Sequence, residues 1–391
     1  MKKRILAILL SGLLLMNITS CEIDESILNS NFEPKKGIET DSTPNSTKDI
    51  GIGFTSEPTK DIETGSASKP TINIEITKQE SKGLAFVSNG DGTCYISGIG
   101  SCTDKNIFLP TVAPNGDTVT SIGNHAFYAS NTLESIIVPN TITQIGAYSF
   151  SNCTGLSNVT LSDSVVVLER AAFSGCENLE TVTLSQNIVN IEDYTFAGCE
   201  KLKSITLYNS IHSIGYQAFA HCADLESLII PNSVNIIEGY AFLDCEKIAS
   251  ITIPANVIEI QGGIFAGCKN LTNISVDSQN PTYIDTNNCI ILKEKNELVA
   301  VCNRFTIPSN ADITSIGKDA ISQVNAVNIM IPKSITNFKF MAITGCSELK
   351  TISYEGTKED WELITKDPHW FMINMTGCTI HCIDGIISTA S

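Results

Sequence analysis

From Asp117 onward, apolar and polar positions recur with a single period. Phe127, Phe150, Phe173, Phe196, Phe219, Phe242 and Phe265 stand 23 residues apart without a slip. Three residues after each come Ser130, then Cys153, Cys176, Cys199, Cys222, Cys245 and Cys268. Six after each come Leu133, Leu156, Leu179, Leu202, Leu225, Ile248 and Leu271. Apolar pairs follow at nine and eleven, from Ile136/Val138 through Ile205/Leu207 to Ile274/Val276. Further apolar steps fall at fifteen and eighteen, as in Ile142/Ile145, Val165/Leu168 and Ile188/Ile191. A fixed period of this length marks stacked structural repeats. Apolar positions two apart, as in Ser204-Ile205-Thr206-Leu207, predict a short strand with one buried face. Pro139, Pro231, Pro254, Pro308 and Pro332 follow such strands and stop them. The Gly or Glu after the second apolar pair, and the Ala-Phe step beyond it, predict a turn and about one helical turn. No single repeat buries both of its apolar edges. Stacking Phe on Phe and Leu on Leu therefore predicts a repeat solenoid with a parallel sheet along one side.

The period breaks once. Cys289-Ile290-Ile291-Leu292 and Leu298-Val299-Ala300-Val301 flank the polar turn Lys293 to Glu297, which predicts an inserted β-hairpin over 277–304. The repeat resumes at Phe305-Thr306-Ile307-Pro308, with Ile321 and Ile343 in the Phe position. Upstream, alternation from Gly83 to Ile107 around Asn89-Gly90-Asp91-Gly92, then a second turn at Asn115-Gly116, predicts an N-terminal β cap. The expected organisation is a cap over 81–118, repeats over 119–276 and 305–353 on either side of the insertion, a C-terminal cap over 354–382 and a tail over 383–391.

The first eighty residues are different material. Lys2, Lys3 and Arg4 precede an apolar run from Ile5 to Met16 and then Ile18-Thr19-Ser20-Cys21, a secretory leader over 1–20. The small residues ending in Cys resemble the bacterial lipobox, in which the Cys is lipidated and becomes the new N-terminus. That makes Cys21 the expected lipidation site. An ordinary leader cleaved near Ser20 is the alternative. Residues 21–80 are rich in Ser, Thr, Pro and charge, and cannot bury enough apolar surface to offset ordering; they are expected to be a flexible stalk.

The unit Ile-x-Ile/Leu-Pro…Ile-Gly-x-x-Ala-Phe-x-x-Cys-x-x-Leu resembles the BspA-type leucine-rich repeat of bacterial surface proteins. Gly83-Leu84-Ala85-Phe86…Cys102-Thr103 resembles the usual opening of these arrays. Tyr354-Glu355-Gly356-Thr357…Trp361…Thr379-Ile380-His381-Cys382 resembles their usual close. The likeness spans about residues 83 to 382. It implies a leucine-rich-repeat-like, β-rich, right-handed superhelix with short turns or helical turns. It also implies a role in adhesion, with host matrix, mucus or other cell-surface proteins and glycans as partners. No catalytic residue carries over from the repeat.

Charge narrows the partners. There are 25 Lys+Arg against 42 Asp+Glu, a net −17. Without Lys2, Lys3 and Arg4, a chain starting at Cys21 holds 22 against 42, or −20. Such a surface repels phosphate backbones, so nucleic acid is not an expected partner. Fourteen cysteines in an exported chain invite disulfides. The six periodic ones, however, point the same way from successive coils, a geometry that seldom gives the disulfide torsion, and they are expected as a ladder of buried thiols. Cys94/Cys102, Cys289/Cys302 and Cys378/Cys382 are better placed for bridges, and unpaired thiols are expected there too. Cys378, His381 and Cys382 offer three donors where structural zinc needs four, so no metal is expected, and no cofactor. His125, His212, His221, His369 and His381 have no neighbouring nucleophile pattern, there is no Gly-x-Ser-x-Gly, and no enzymatic activity is expected.

What remains is surface. Between inward apolar positions the strands present Ile137, Thr160, Thr183, Thr206, Ile229 and Thr252, then Ser275, beside Ser135, Asn158, Thr181, Ser204, Ser227, Ser250 and Asn273. This hydroxyl-rich band is the expected ligand-binding face; the competing account is that Thr is a good strand residue. A second outward row carries Val166, Val167, Val189, Ile236 and Ile258. The expected function is non-enzymatic recognition and adhesion, exported and lipid-anchored at the outer face of the bacterial envelope. A structural scaffold of the envelope without a diffusible ligand is the alternative, and a degradative site in the inserted hairpin a third.

Overall fold

The computed structural model describes residues 79–309, 312–372 and 377–388. The expected leader, Cys21 and all but the last two residues of the expected stalk lie outside them. The described residues form a β-solenoid of about eleven turns. Each turn has three sides.

On the first side, Asn106–Phe108, Ser135–Ile137, Asn158–Thr160 and Thr181–Thr183 pair in parallel, with Ile136 opposite Val159 and Val159 opposite Val182. The row thins to a single bridge between Ser204 and Ser227, then reforms as Ser250–Ile253 on Asn273–Val276. The sheet predicted along this side is thus in pieces, although its inward residues stay in column.

On the second side the strands are only two residues long. Gln144–Ile145 and Val167–Leu168 continue from Thr118–Ile122, and Asn190–Ile191, Ser213–Ile214, Ile236–Ile237 and Glu259–Ile260 form a further parallel sheet.

The third side corrects the expected helical turn. The Ala-Phe segment is a ribbon of tight turns in which alternate N–H groups bond to the next coil. His125 N donates to Ala147 O, Phe127 N to Ser149 O and Ala129 N to Ser151 O, at 2.7–3.0 Å, and the pattern repeats downstream. Two left-handed residues per coil flank each Phe and make this alternation, such as Tyr148 (φ 56°) and Asn152 (φ 60°). Each such non-glycine residue costs roughly 1–2 kcal/mol. A helix would turn its donors onto itself, whereas here they satisfy the neighbouring coil's carbonyls.

The core is columnar. Phe127 through Phe242 are fully buried, and their rings stack almost parallel with centroids from 5.0 Å (Phe127–Phe150) to 5.9 Å (Phe219–Phe242). Burying each ring contributes about 1.5–3 kcal/mol, and each stacked pair about 0.5–1.5 kcal/mol more.

The insertion holds the expected hairpin, Cys289–Leu292 on Glu297–Val301, and a third antiparallel strand before it, Tyr283–Thr286. It is not an outgrowth. Glu297–Val301 pairs in parallel with Ser315–Ile316, and the second-side sheet continues through Asn337–Phe338 and Thr365–Lys366. Its buried Ile290 belongs to the core before the insertion and Leu298 to the core after it. At the N-terminal end Ala85–Ser88 folds antiparallel on Thr93–Gly98, which pairs with Thr118–Ile122. At the other end a helix, Lys358–Leu363, starts at a capping box of Thr357 and Asp360 and buries Trp361 against Phe338 and Tyr354. Where a tail is expected from 383, the strand Gly385–Ser388 pairs antiparallel with Thr379–Cys382.

Candidate functional site

The first-side strands hold their side chains in strict register, so outward positions fall into rows. Ile137, Thr160 and Thr183 are successive partners, and so are Thr252 and Ser275. Thr206 and Ile229 sit between them in the stretch held by the Ser204–Ser227 bridge. Thr183, Thr206 and Thr252 are exposed, Ile137 and Thr160 half-buried. Ile229 is 84% exposed, an isoleucine in the middle of a threonine row with nothing over it. Thr252 and Ser275 bond each other at 2.8 Å, and Ser135 donates to Asn106. All six expected ligand-binding residues therefore lie on one side of the solenoid in a column.

The second row is less continuous than expected. Val166, Val189 and Ile258 are exposed, but backbone bonds from His212 to Val189 and from Asn235 to His212 put those two polar residues in the same column. The apolar strip is split in its middle.

The periodic cysteines are buried and free. Each thiol donates to the carbonyl of the preceding coil's Phe, from Cys153 on Phe127 at 2.9 Å to Cys268 on Phe242 at 3.1 Å. Ala in that place would leave the carbonyl one donor short. Burial pushes the Cys153 and Cys222 thiols up to about 12, and holds Cys176, Cys199 and Cys245 well above the ordinary thiol value. These are structural thiols held away from the reactive thiolate form. Cys378 is buried, Cys382 half-buried, and His381 is exposed with its Nε2 2.9 Å from Thr379 Oγ1. His221 Nδ1 lies 3.2 Å from Asp244 Oδ2, but no hydroxyl or thiol among the described residues bonds that imidazole.

Sequence reasoning missed the corner between the second and third sides. His125 and Tyr148 stack there at 5.1 Å, Arg170 donates to the Tyr148 hydroxyl, and Tyr194, Tyr216 and Tyr240 follow edge to face at 5.5 and 6.0 Å. Tyr148, Tyr194 and Tyr240 stand two periods apart, a signal the sequence carried. The aromatic line ends at a cleft of about 590 Å³ beside the insertion, whose lining includes Tyr240, Glu259, Tyr283 and Asp319. The Tyr283 hydroxyl accepts there from the backbone N–H of Ile260, a donor that the interrupted sheet leaves over.

The profile of the BspA type leucine rich repeat region matches residues 120–248, 213–293 and 297–362 of this chain in six copies. A leucine rich cell surface protein of Faecalibacterium prausnitzii is similar in structure: TM-score 0.53 and 23% identity, over 73% of this chain and 97% of that one. A leucine-rich repeat protein of Bacteroides ovatus gives TM-score 0.53 and 26% identity, over 77% of this chain and 70% of that one. No curated protein matches the chain. Among the described residues no helix is long and apolar enough to cross a membrane.

Proposed function

Because this chain belongs to the BspA-type leucine-rich repeat family, we propose that it is a non-enzymatic recognition and adhesion protein, exported, anchored by lipid at Cys21 and carried on the 21–80 stalk at the outer face of the bacterial envelope. Its contact surface is the first-side row Ile137, Thr160, Thr183, Thr206, Ile229 and Thr252. The observation that carries this reading is Ile229. It stands 84% exposed in a row of outward-facing threonines. Burying such a side chain against a partner gains about 1.5–3 kcal/mol, and the threonines supply adaptable hydrogen bonds around it. The partners this surface fits are matrix proteins and mucus glycans, met without the phosphate attraction that a basic face would add. The acidic balance of the chain keeps nucleic acid away.

The test is solid-phase binding of the full mature chain to host matrix proteins and mucin, wild type against Thr160→Lys/Thr183→Lys/Thr206→Lys. These positions face outward from the strands, so circular dichroism should be unchanged while saturable binding is lost. Unaltered binding by the triple variant rejects this face. Crosslinking in living cells that captures only the producer's own envelope proteins would favour a structural scaffold instead.

A further inference from the structure

The cleft beside the insertion is a separate feature from the strand row. Four carboxylates (Glu259, Glu294, Glu297 and Asp319) line it against two lysines, Lys295 and Lys318. Glu297 is already paired with Lys339 at 2.5 Å. Lys318 directs its ammonium over the Phe340 ring, 5.9 Å from the centroid. Asp319 and Glu259 make no ion pair among the described residues.

Asp319 is the unusual member. It is 2% exposed, it sits in the left-handed region (φ 52°), and its Oδ1 has no hydrogen-bond partner. Its remaining company is the Tyr240 hydroxyl and the more distant Lys318 charge. Burial raises its carboxyl above the ordinary range, and burial beside that carboxylate raises the Tyr240 phenol in turn. An unpaired buried carboxylate oxygen is costly, and a donor entering the cleft that Asp319 lines would relieve that cost.

We propose that this cleft binds a primary ammonium group. An anion would meet Asp319, Glu259 and Glu294. A neutral hydroxyl would satisfy Oδ1 but leave its charge uncompensated. An ammonium ion supplies both three donors and the missing positive charge. Tyr216 and Tyr240, edge to face at 6.0 Å, give aromatic walls of the kind that favour cations. The Tyr240 ring is seated on Gly263, where a Cβ would come within 2.6 Å of it, so the wall is held in place by backbone. The net −17 of the chain draws cations toward the surface. The same group can come from a free diamine or from a lysine side chain of a polypeptide.

Calorimetric titration of the full mature chain with 1,5-diaminopentane tests this, with 1,5-pentanediol as the neutral analogue. The diamine should bind saturably and the diol should not. Asp319→Asn should weaken binding about thirtyfold or more, the loss that accompanies removal of one partner of a buried charge pair. Glu259→Gln, on the exposed rim, should weaken it severalfold, and it carries the test if Asp319→Asn does not fold. Absence of saturable diamine binding, equal binding of the diol, or wild-type affinity in a folded Asp319→Asn overturns the proposal. Nα-acetyl-lysine amide binding more tightly than the diamine assigns the group to a polypeptide, and the reverse assigns it to a free amine. Thr160→Lys/Thr183→Lys/Thr206→Lys should leave amine binding intact, so the strand-row reading and this one fail separately.

Discussion

The thiol ladder makes stability depend on alkaline pH in a way that can be worked through. In the unfolded chain a cysteine titrates near its ordinary value of 9.0, while in the folded chain burial holds Cys153 and Cys222 at about 12. Cys176, Cys199, Cys245 and Cys268 are raised for the same reason. The folded state therefore keeps protons that the unfolded state releases. The stabilisation is complete below about pH 9 and is lost as pH rises toward 12. One unit above the unfolded pKa, each thiol has lost about 1.4 kcal/mol of its contribution. Six ladder thiols then remove roughly 8 kcal/mol at pH 10, comparable with the whole stability of an ordinary domain. Urea unfolding followed by circular dichroism, with a phosphine reductant present, should show the midpoint nearly level from pH 7 to 8 and falling steeply between 9 and 10. Cys176→Ala/Cys199→Ala/Cys222→Ala should start lower, since three carbonyls lose a donor, but lose about 4 kcal/mol less than wild type by pH 10, the share of the three missing thiols. Tyrosines and lysines titrate in the same window, and the contrast between the two proteins isolates the thiols. Parallel slopes for wild type and variant would refute the reasoning.

Phe196→Ala removes a fully buried ring stacked between Phe173 and Phe219. It should cost about 3–5 kcal/mol by denaturant titration, and hydrogen exchange should show the loss concentrated in the adjacent coils, because repeats couple to their neighbours. Gly155→Ala should also destabilise, by about 1–3 kcal/mol, since a Cβ there would collide with the Asn131 carbonyl oxygen of the preceding coil; a thermal midpoint equal to wild type would contradict that packing. Thr357→Ala should cost about 1 kcal/mol and speed amide exchange over Lys358–Leu363, where the capping box holds the first turn.

Much of this protein was legible in the chain because a repeat shows the same environment many times. The Phe, Cys and Leu columns each occupy one place in every coil, so seven copies of a pattern stand in for one fold-level contact. Strand alternation in Ser204-Ile205-Thr206-Leu207 likewise showed which residues face out, and the structure places all six expected contact residues in one column. Three things depended on tertiary structure. The Ala-Phe segment reads locally as a helical start, and only the neighbouring coil, accepting alternate N–H groups, makes the left-handed turns at Tyr148 and Asn152 worth their cost. The strand Tyr283–Thr286 has a weak polar alternation and is a strand because Cys289–Leu292 lies beside it. The cleft joins Tyr240 and Asp319 from opposite sides of an insertion that splits the second-side sheet. No spacing announces such a pair, since the period that reveals the coils is the very thing interrupted there. Sequence periodicity determined the stack because stacking repeats its contacts; the break in the stack, where contacts occur once, was decided by the fold alone.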